Sequence, residues 1–156
     1  MMTREIPGEN LVEFPPHGKA LGMELIGTEG GKALVKVPYA EHLVGDPDTG
    51  VIHGGVITAT LDNASGWCVR LHQDYIDGMS MATLDLRIDY MKPATPREDL
   101  MVMAECYKIT RNIAFVRAYA YQDDIEDPVA TSVAAFMTGT PTEGKEAHED
   151  TSTVKG

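Results

Sequence analysis

Basic residues are scarce in this chain: 13 Lys and Arg stand against 24 Asp and Glu, a formal charge of −11. A protein that grips a phosphate backbone needs a basic face, so general nucleic-acid binding is disfavoured. Cysteine is scarcer still. Cys68 and Cys106 are the two in 156 residues, too few for a disulfide framework, and they read as buried structural thiols in a reducing compartment. No apolar run is long enough to span a bilayer, and the start, Met1-Met2-Thr3-Arg4-Glu5-Ile6-Pro7-Gly8, lacks the apolar core of a signal peptide. The histidines, His17, His42, His53, His72 and His148, never fall at ligand spacing such as His-x-x-x-His, so no metal is implied. No repeat recurs at a solenoid or propeller period. What is left is a soluble, acidic, cytoplasmic protein of one domain, with 43 % apolar and 24 % charged residues in ordinary globular proportion.

The ends read as appendages. Residues 1–18 form an N-terminal extension with breakers at Pro7, Pro15 and Pro16 around a short helix at 8–14, and 139–156 form a flexible acidic tail whose one large apolar residue is Val154. Between them, over 19–138, the pattern is mostly strand. Glu29-Gly30-Gly31 marks a turn into an alternating strand at Lys32–Val37. From Thr83 to Tyr90 the alternation is clean: Leu84, Leu86, Ile88 and Tyr90 fall on one face, Thr83, Asp85, Arg87 and Asp89 on the other. Met91-Lys92-Pro93 ends that strand. Further strands follow at 99–109, 113–122 and 129–138, with Arg111-Asn112 in one turn and the acidic run Asp123 to Asp127 in the next.

One stretch breaks the strand pattern. Ile57, Leu61, Ala64, Trp67/Cys68 and Leu71 recur at helical spacing and predict one helix of about 18 residues from His53 to about Leu71. Gly66 costs that helix about 1 kcal/mol relative to alanine, so packing must require it. The fold class is α+β, one long helix lying across an antiparallel sheet.

Two glycines, Gly54 and Gly55, stand where the helix begins. They are either a glycine-lined helix entry in a crowded core or an anion site built from free N–H groups and the positive end of the dipole. Asp62 bears on that choice. It lies seven residues after Gly55, nearly two full turns, so both share a face, whose other positions (Thr58, Ala59, Ser65, Gly66, Val69) are not bulky. A carboxylate in such a groove is either paired or functional. It also stands about 10 Å from Gly55 along the axis. If both act on one reacting atom, a second chain must bring its own glycine turn to this aspartate.

The triplet His53-Gly54-Gly55, Asp62 nine residues after the histidine, and the strand Thr83-Leu84-Asp85-Leu86 together resemble the hotdog-fold acyl-CoA thioesterases. The nearest branch is the PaaI-like, phenylacetate-degradation type, over roughly residues 20–138. The resemblance implies a long helix wrapped by an antiparallel sheet, a homodimer paired into a homotetramer, and an acyl-CoA substrate hydrolysed with no cofactor beyond that coenzyme A. It implies Asp62 as general base or nucleophile, Gly54 or Gly55 as oxyanion donor, His53 as the residue that orients the turn, and Thr83 as a holder of the attacking water. The chain departs from the pattern at Pro47, where several relatives carry an asparagine that touches thioester or water, unless Asp48 or His42 substitutes.

Two other readings compete. Asp48 and His53 have the five-residue spacing of hotdog enoyl-CoA hydratases, although the asparagine-proline step between them is missing. Alternatively, a chain that kept the pocket and lost the Pro47-position contact would be a non-catalytic acyl-CoA-binding protein. Coenzyme A is itself anionic, so an acidic protein needs a local basic site. Arg111 and Asn112, with Lys108, are the first candidates for its phosphates, and Lys92 with Arg97 the second. Asp85 and Asp89 read as polar-face strand residues, and the nine methionines as core packing or as the wall of an acyl channel.

Overall fold

The structure, a computed structural model, describes residues 13–141. In chain order it contains helix α1 (Pro16–Ala20), strands β1 (Glu24–Gly27), β2 (Lys32–Val37), β3 (Val44–Asp46) and β4 (Val51–Ile52), helix α2 (Gly54–Leu71), and strands β5 (Met79–Tyr90), β6 (Leu100–Ile109), β7 (Ile113–Tyr121) and β8 (Ala130–Pro141). Six strands form one antiparallel sheet in the order β1-β2-β6-β7-β8-β5, and β3 with β4 makes a small separate hairpin.

The core lies between α2 and one sheet face. Of the stripe read from helical spacing, Ile57, Leu61, Ala64, Cys68 and Leu71 are buried and Trp67 is partly buried against them. Opposite them come Ala33, Val35 and Val37 of β2, Val102, Ala104 and Cys106 of β6, and Ala114, Val116 and Ala118 of β7, every second residue as a pleated strand requires. Many of these are alanine or valine, which lets the helix settle close to the strands. Its axis therefore lies over β2, β6 and β7, and among the described residues β5 at the sheet edge has one neighbour, β8. No helix among the described residues is long and apolar enough to cross a membrane.

Several expectations need correction. Residues 8–12 of the expected short helix lie outside the described residues, 13–15 are not helical, and α1 starts at Pro16, where proline suits a first turn. Phe14 and Gly18, placed in the N-terminal extension, are buried, and β8 runs on to Pro141. The expected alternation in β5 does not hold through Thr83. A bulge between Thr83 and Asp85 places Thr83 opposite Phe136 and Asp85 opposite the next residue, Ala135. An extra residue swaps the faces, so Met81 and Thr83 before the bulge point to α2 along with Leu86 and Ile88 after it.

Candidate active site

The entry to α2 is built by the β3–β4 hairpin. Asp46 organises its turn: its side chain accepts from the Asp48 N–H at 3.0 Å and from the Thr49 hydroxyl at 2.9 Å, and its carbonyl from the Gly50 N–H at 2.8 Å. Pro47 fits this tight turn, and Gly50, at φ +75°, takes a left-handed conformation that glycine adopts without strain. At the hairpin's other end Gly45 passes so near His53 that a Cβ there would come 2.7 Å from the His53 Cα. That close pass fixes where the helix starts.

His53 is the N-cap, and its Nδ1 accepts the Gly55 N–H at 2.8 Å. The Val56 N–H donates to the His53 carbonyl at 2.9 Å. The Gly54 N–H has no acceptor among the described residues and opens on an exposed face at the positive end of an 18-residue helix. The two glycines thus differ. Gly55 is already spent on the cap, and Gly54 has a donor to offer. Tyr90, beyond the β5 bulge, frames this end: its hydroxyl donates to the Gly54 carbonyl at 3.0 Å and bonds the Thr58 hydroxyl. Only its place as the last apolar residue of the β5 alternation hinted at this contact.

Two turns along, the half-buried Asp62 faces Thr83, whose hydroxyl donates to its Oδ1 at 3.0 Å. A threonine hydroxyl has one proton to give. Having given it to Asp62, Thr83 orients the carboxylate and keeps only lone pairs for a water. Gly66 follows one turn later, and a Cβ there would stand 3.2 Å from the Met81 Cε, the packing that its presence in the helix required.

Other candidates are not brought together. Asp48 sits in the hairpin turn and His53 at the hairpin's opposite end, beyond the Val44–Ile52 pair, so the hydratase-type spacing does not become a site. His42 bonds the Ala20 carbonyl at 3.0 Å through its Nε2. Lys92 is paired with Asp127, and Arg97 lies beside Gly50. Lys108, Arg111 and Asn112 lie at the opposite end of the sheet, about 30 Å away along a ten-residue strand, so the two basic clusters cannot grip one nucleotide together. Asn112 is next to Thr138, which pairs with Met81, so its turn shares a sheet end with the Asp62 side of β5. Asp85 and Asp89 are exposed. Both cysteines are free and buried; burial pushes the Cys68 thiol well up and the Cys106 thiol up to about 11. Among the described residues, no group of three or more His, Cys, Asp or Glu is placed to hold a metal.

Residues 49–129, more than half of the chain, match a family model described as the thioesterase superfamily. The chain is 28 % identical over 146 residues to the medium/long-chain acyl-CoA thioesterase YigI of Escherichia coli K12, covering 86 % of this chain and 93 % of that one. A solved structure of a Pseudomonas aeruginosa protein shares 40 % identity at a TM-score of 0.69, over 78 % of this chain and 88 % of that one. A phenylacetic acid degradation-related protein of Ralstonia eutropha JMP134 shares 25 % at a TM-score of 0.68, over 82 % and 93 %.

Proposed function

The chain belongs to the thioesterase superfamily and is a thioester hydrolase of PaaI-like hotdog type; from that premise we propose that it hydrolyses acyl-CoA to the free acid and coenzyme A at sites shared between two subunits. The observation that carries this reading is the Asp62 carboxylate, held by Thr83 in a groove two turns from a helix-end N–H that has no acceptor among the described residues.

Asp62 takes a proton from a water, and the water oxygen attacks the thioester carbon. The carbonyl electron pair moves onto oxygen, where the Gly54 N–H of the partner subunit and the dipole of that helix hold the negative charge. The intermediate collapses, the C–S bond breaks, and the proton on Asp62 passes to the leaving thiolate. Acting instead as a nucleophile, the same carboxylate attacks the thioester carbon and expels the thiolate, and water then opens the mixed anhydride to the free acid and the Asp62 carboxylate, its released proton going to the thiolate. His53 acts through the cap, by fixing the turn, and Thr83 by fixing the carboxylate and accepting from the water. Arg111, which has no ion pair among the described residues, and Asn112 are assigned to the coenzyme A phosphates. The reaction needs no cofactor. The homodimer that completes the site pairs further into a homotetramer, and the protein works in the cytoplasm.

Thiol release from a panel of acyl-CoAs tests the reading. Asp62→Asn removes the base and little volume, and turnover is expected to fall at least ~100-fold. Unchanged turnover would remove Asp62 from the mechanism. Enoyl-CoA consumption without thiol release would instead mark a hydratase, and tight binding without any release a non-catalytic binder.

A further inference from the structure

A cavity of about 190 Å³ opens from the Asp62–Thr83 contact and follows α2 toward its C-terminus. Gly66, Trp67, Met81 and Phe136 line its middle, and Arg70, eight residues and about 12 Å along the axis from Asp62, marks its far end. Glu13 and Pro15 of the N-terminal segment close the side beside Trp67. Phe14 between them is buried, with its ring edge-on to Trp67 at 5.8 Å. The segment is pressed close: a Cβ at Gly18 would stand 3.0 Å from the Phe14 Cβ.

We infer that this groove holds the acyl group of the substrate, and that Trp67, clamped by the N-terminal segment, sets the length of acyl chain the site accepts. The inference rests on the acyl-CoA reading above. Three observations favour the acyl group over the coenzyme. The middle of the groove is apolar apart from the catalytic pair and Asn63, one of whose Nδ2 protons goes to the Ala59 carbonyl at 2.9 Å, so the two pantetheine amides entering there would lose more water than one side-chain amide replaces. On the side beside Trp67, Glu13 sets a carboxylate, ion-paired with Lys19, where a diphosphate in the groove would have to lie. Arg70, the one cation lining the cavity among the described residues, lies over the Trp67 ring at 5.5 Å and so closes the wall. In size the groove compares with the ~150 Å³ cavity that accommodates benzene. A single aryl ring or a short to medium chain fits, and a long chain meets Trp67.

Trp67 is the one tryptophan in the sequence, so its fluorescence reports on the groove directly. In the Asp62→Asn protein, which holds substrate without turnover, hexanoyl-CoA and phenylacetyl-CoA are expected to shift the emission to the blue, and free coenzyme A to leave it unmoved. An equal shift with free coenzyme A would place the coenzyme in the groove, and no shift from an acyl-CoA shown by calorimetry to be bound would empty it; either result overturns the inference. With Asp62 intact, Trp67→Ala and Phe14→Ala should each raise the ratio of kcat/KM for palmitoyl-CoA over hexanoyl-CoA by about 10-fold or more, the scale of a relieved steric block. Trp67→Leu serves if the alanine protein does not fold. A uniform loss with the ratio unchanged marks a merely structural wall and overturns the inference while thioester hydrolysis stands. A wild-type protein that neither binds nor hydrolyses any of these thioesters overturns the acyl-CoA reading, and this inference falls with it.

Discussion

Adjacent glycines carry different burdens here, and the difference can be measured. A Cβ on Gly55 would meet the His53 Nδ1 at 2.8 Å, whereas one on Gly54 would meet the Tyr90 ring at an ordinary 3.8 Å. Gly55→Ala is therefore expected to break the cap and cost about 1 kcal/mol of stability. Gly54→Ala should stay within about 1 kcal/mol of wild type in thermal melts, yet lose thiol-release activity by crowding the free donor. The reverse pattern would give the donor role to Gly55. The buried thiols give a second prediction at this scale. Desolvation raises the folded-state value of Cys106 from the ordinary 9.0 to about 11, so the folded state holds its proton where the unfolded chain has released it. That stability is fully present below pH 9 and is lost as pH rises through about 11. Melting temperature should decline over that window, and Cys106→Ser should flatten the decline. A pH-independent melt from 9 to 11 would contradict it.

Among the elements, the helix and the sheet strands were readable because period decides them. The stripe from Ile57 to Leu71 turned out buried, and strands expected at 99–109, 113–122 and 129–138 appear within a few residues of those limits. The β5 bulge was not readable. Neither glycine nor proline marks it, and the run Thr83-Leu84-Asp85-Leu86 alternates without a break. A bulge is fixed by the partner strand and by what must face the helix, which a local pattern does not record. Asp62 could be singled out from its place on the helix, but its bond to Thr83 depends on that bulge. The β3–β4 hairpin and the burial of Phe14 were likewise invisible, since both follow from tertiary contacts of short segments. The hairpin offers a test. Gly45→Ala places a Cβ against the His53 backbone, and overpacking of this kind costs about 1–3 kcal/mol. Both the melting temperature and thiol release should fall, because the helix entry moves. Full activity at a lowered melting temperature would separate the hairpin from the site.

At the scale of the whole molecule, the proposed mechanism needs two groups that one chain holds too far apart to use together. Gly54 and Asp62 are eight residues apart on one helix, about 12 Å along the axis, and hydrolysis needs donor and base within about 3 Å of the reacting group. The proposed two-fold pair of chains would resolve this, each presenting its helix entry to the other's aspartate and giving two equal sites. β5, whose outer edge is unpaired among the described residues and which exposes Leu84 and Tyr90, leaves that side of the sheet open there. The measurement that tests this most directly is complementation. Asp62→Asn protein is mixed with Gly54→Val protein, whose block spares the His53 cap, and heterodimers are isolated by differential tags before thiol release is assayed. Each parent should be nearly inactive, and the heterodimer should recover about half the wild-type activity, one working site in two. A heterodimer no more active than its parents, or a fully active monomer in sedimentation, would contradict the shared site.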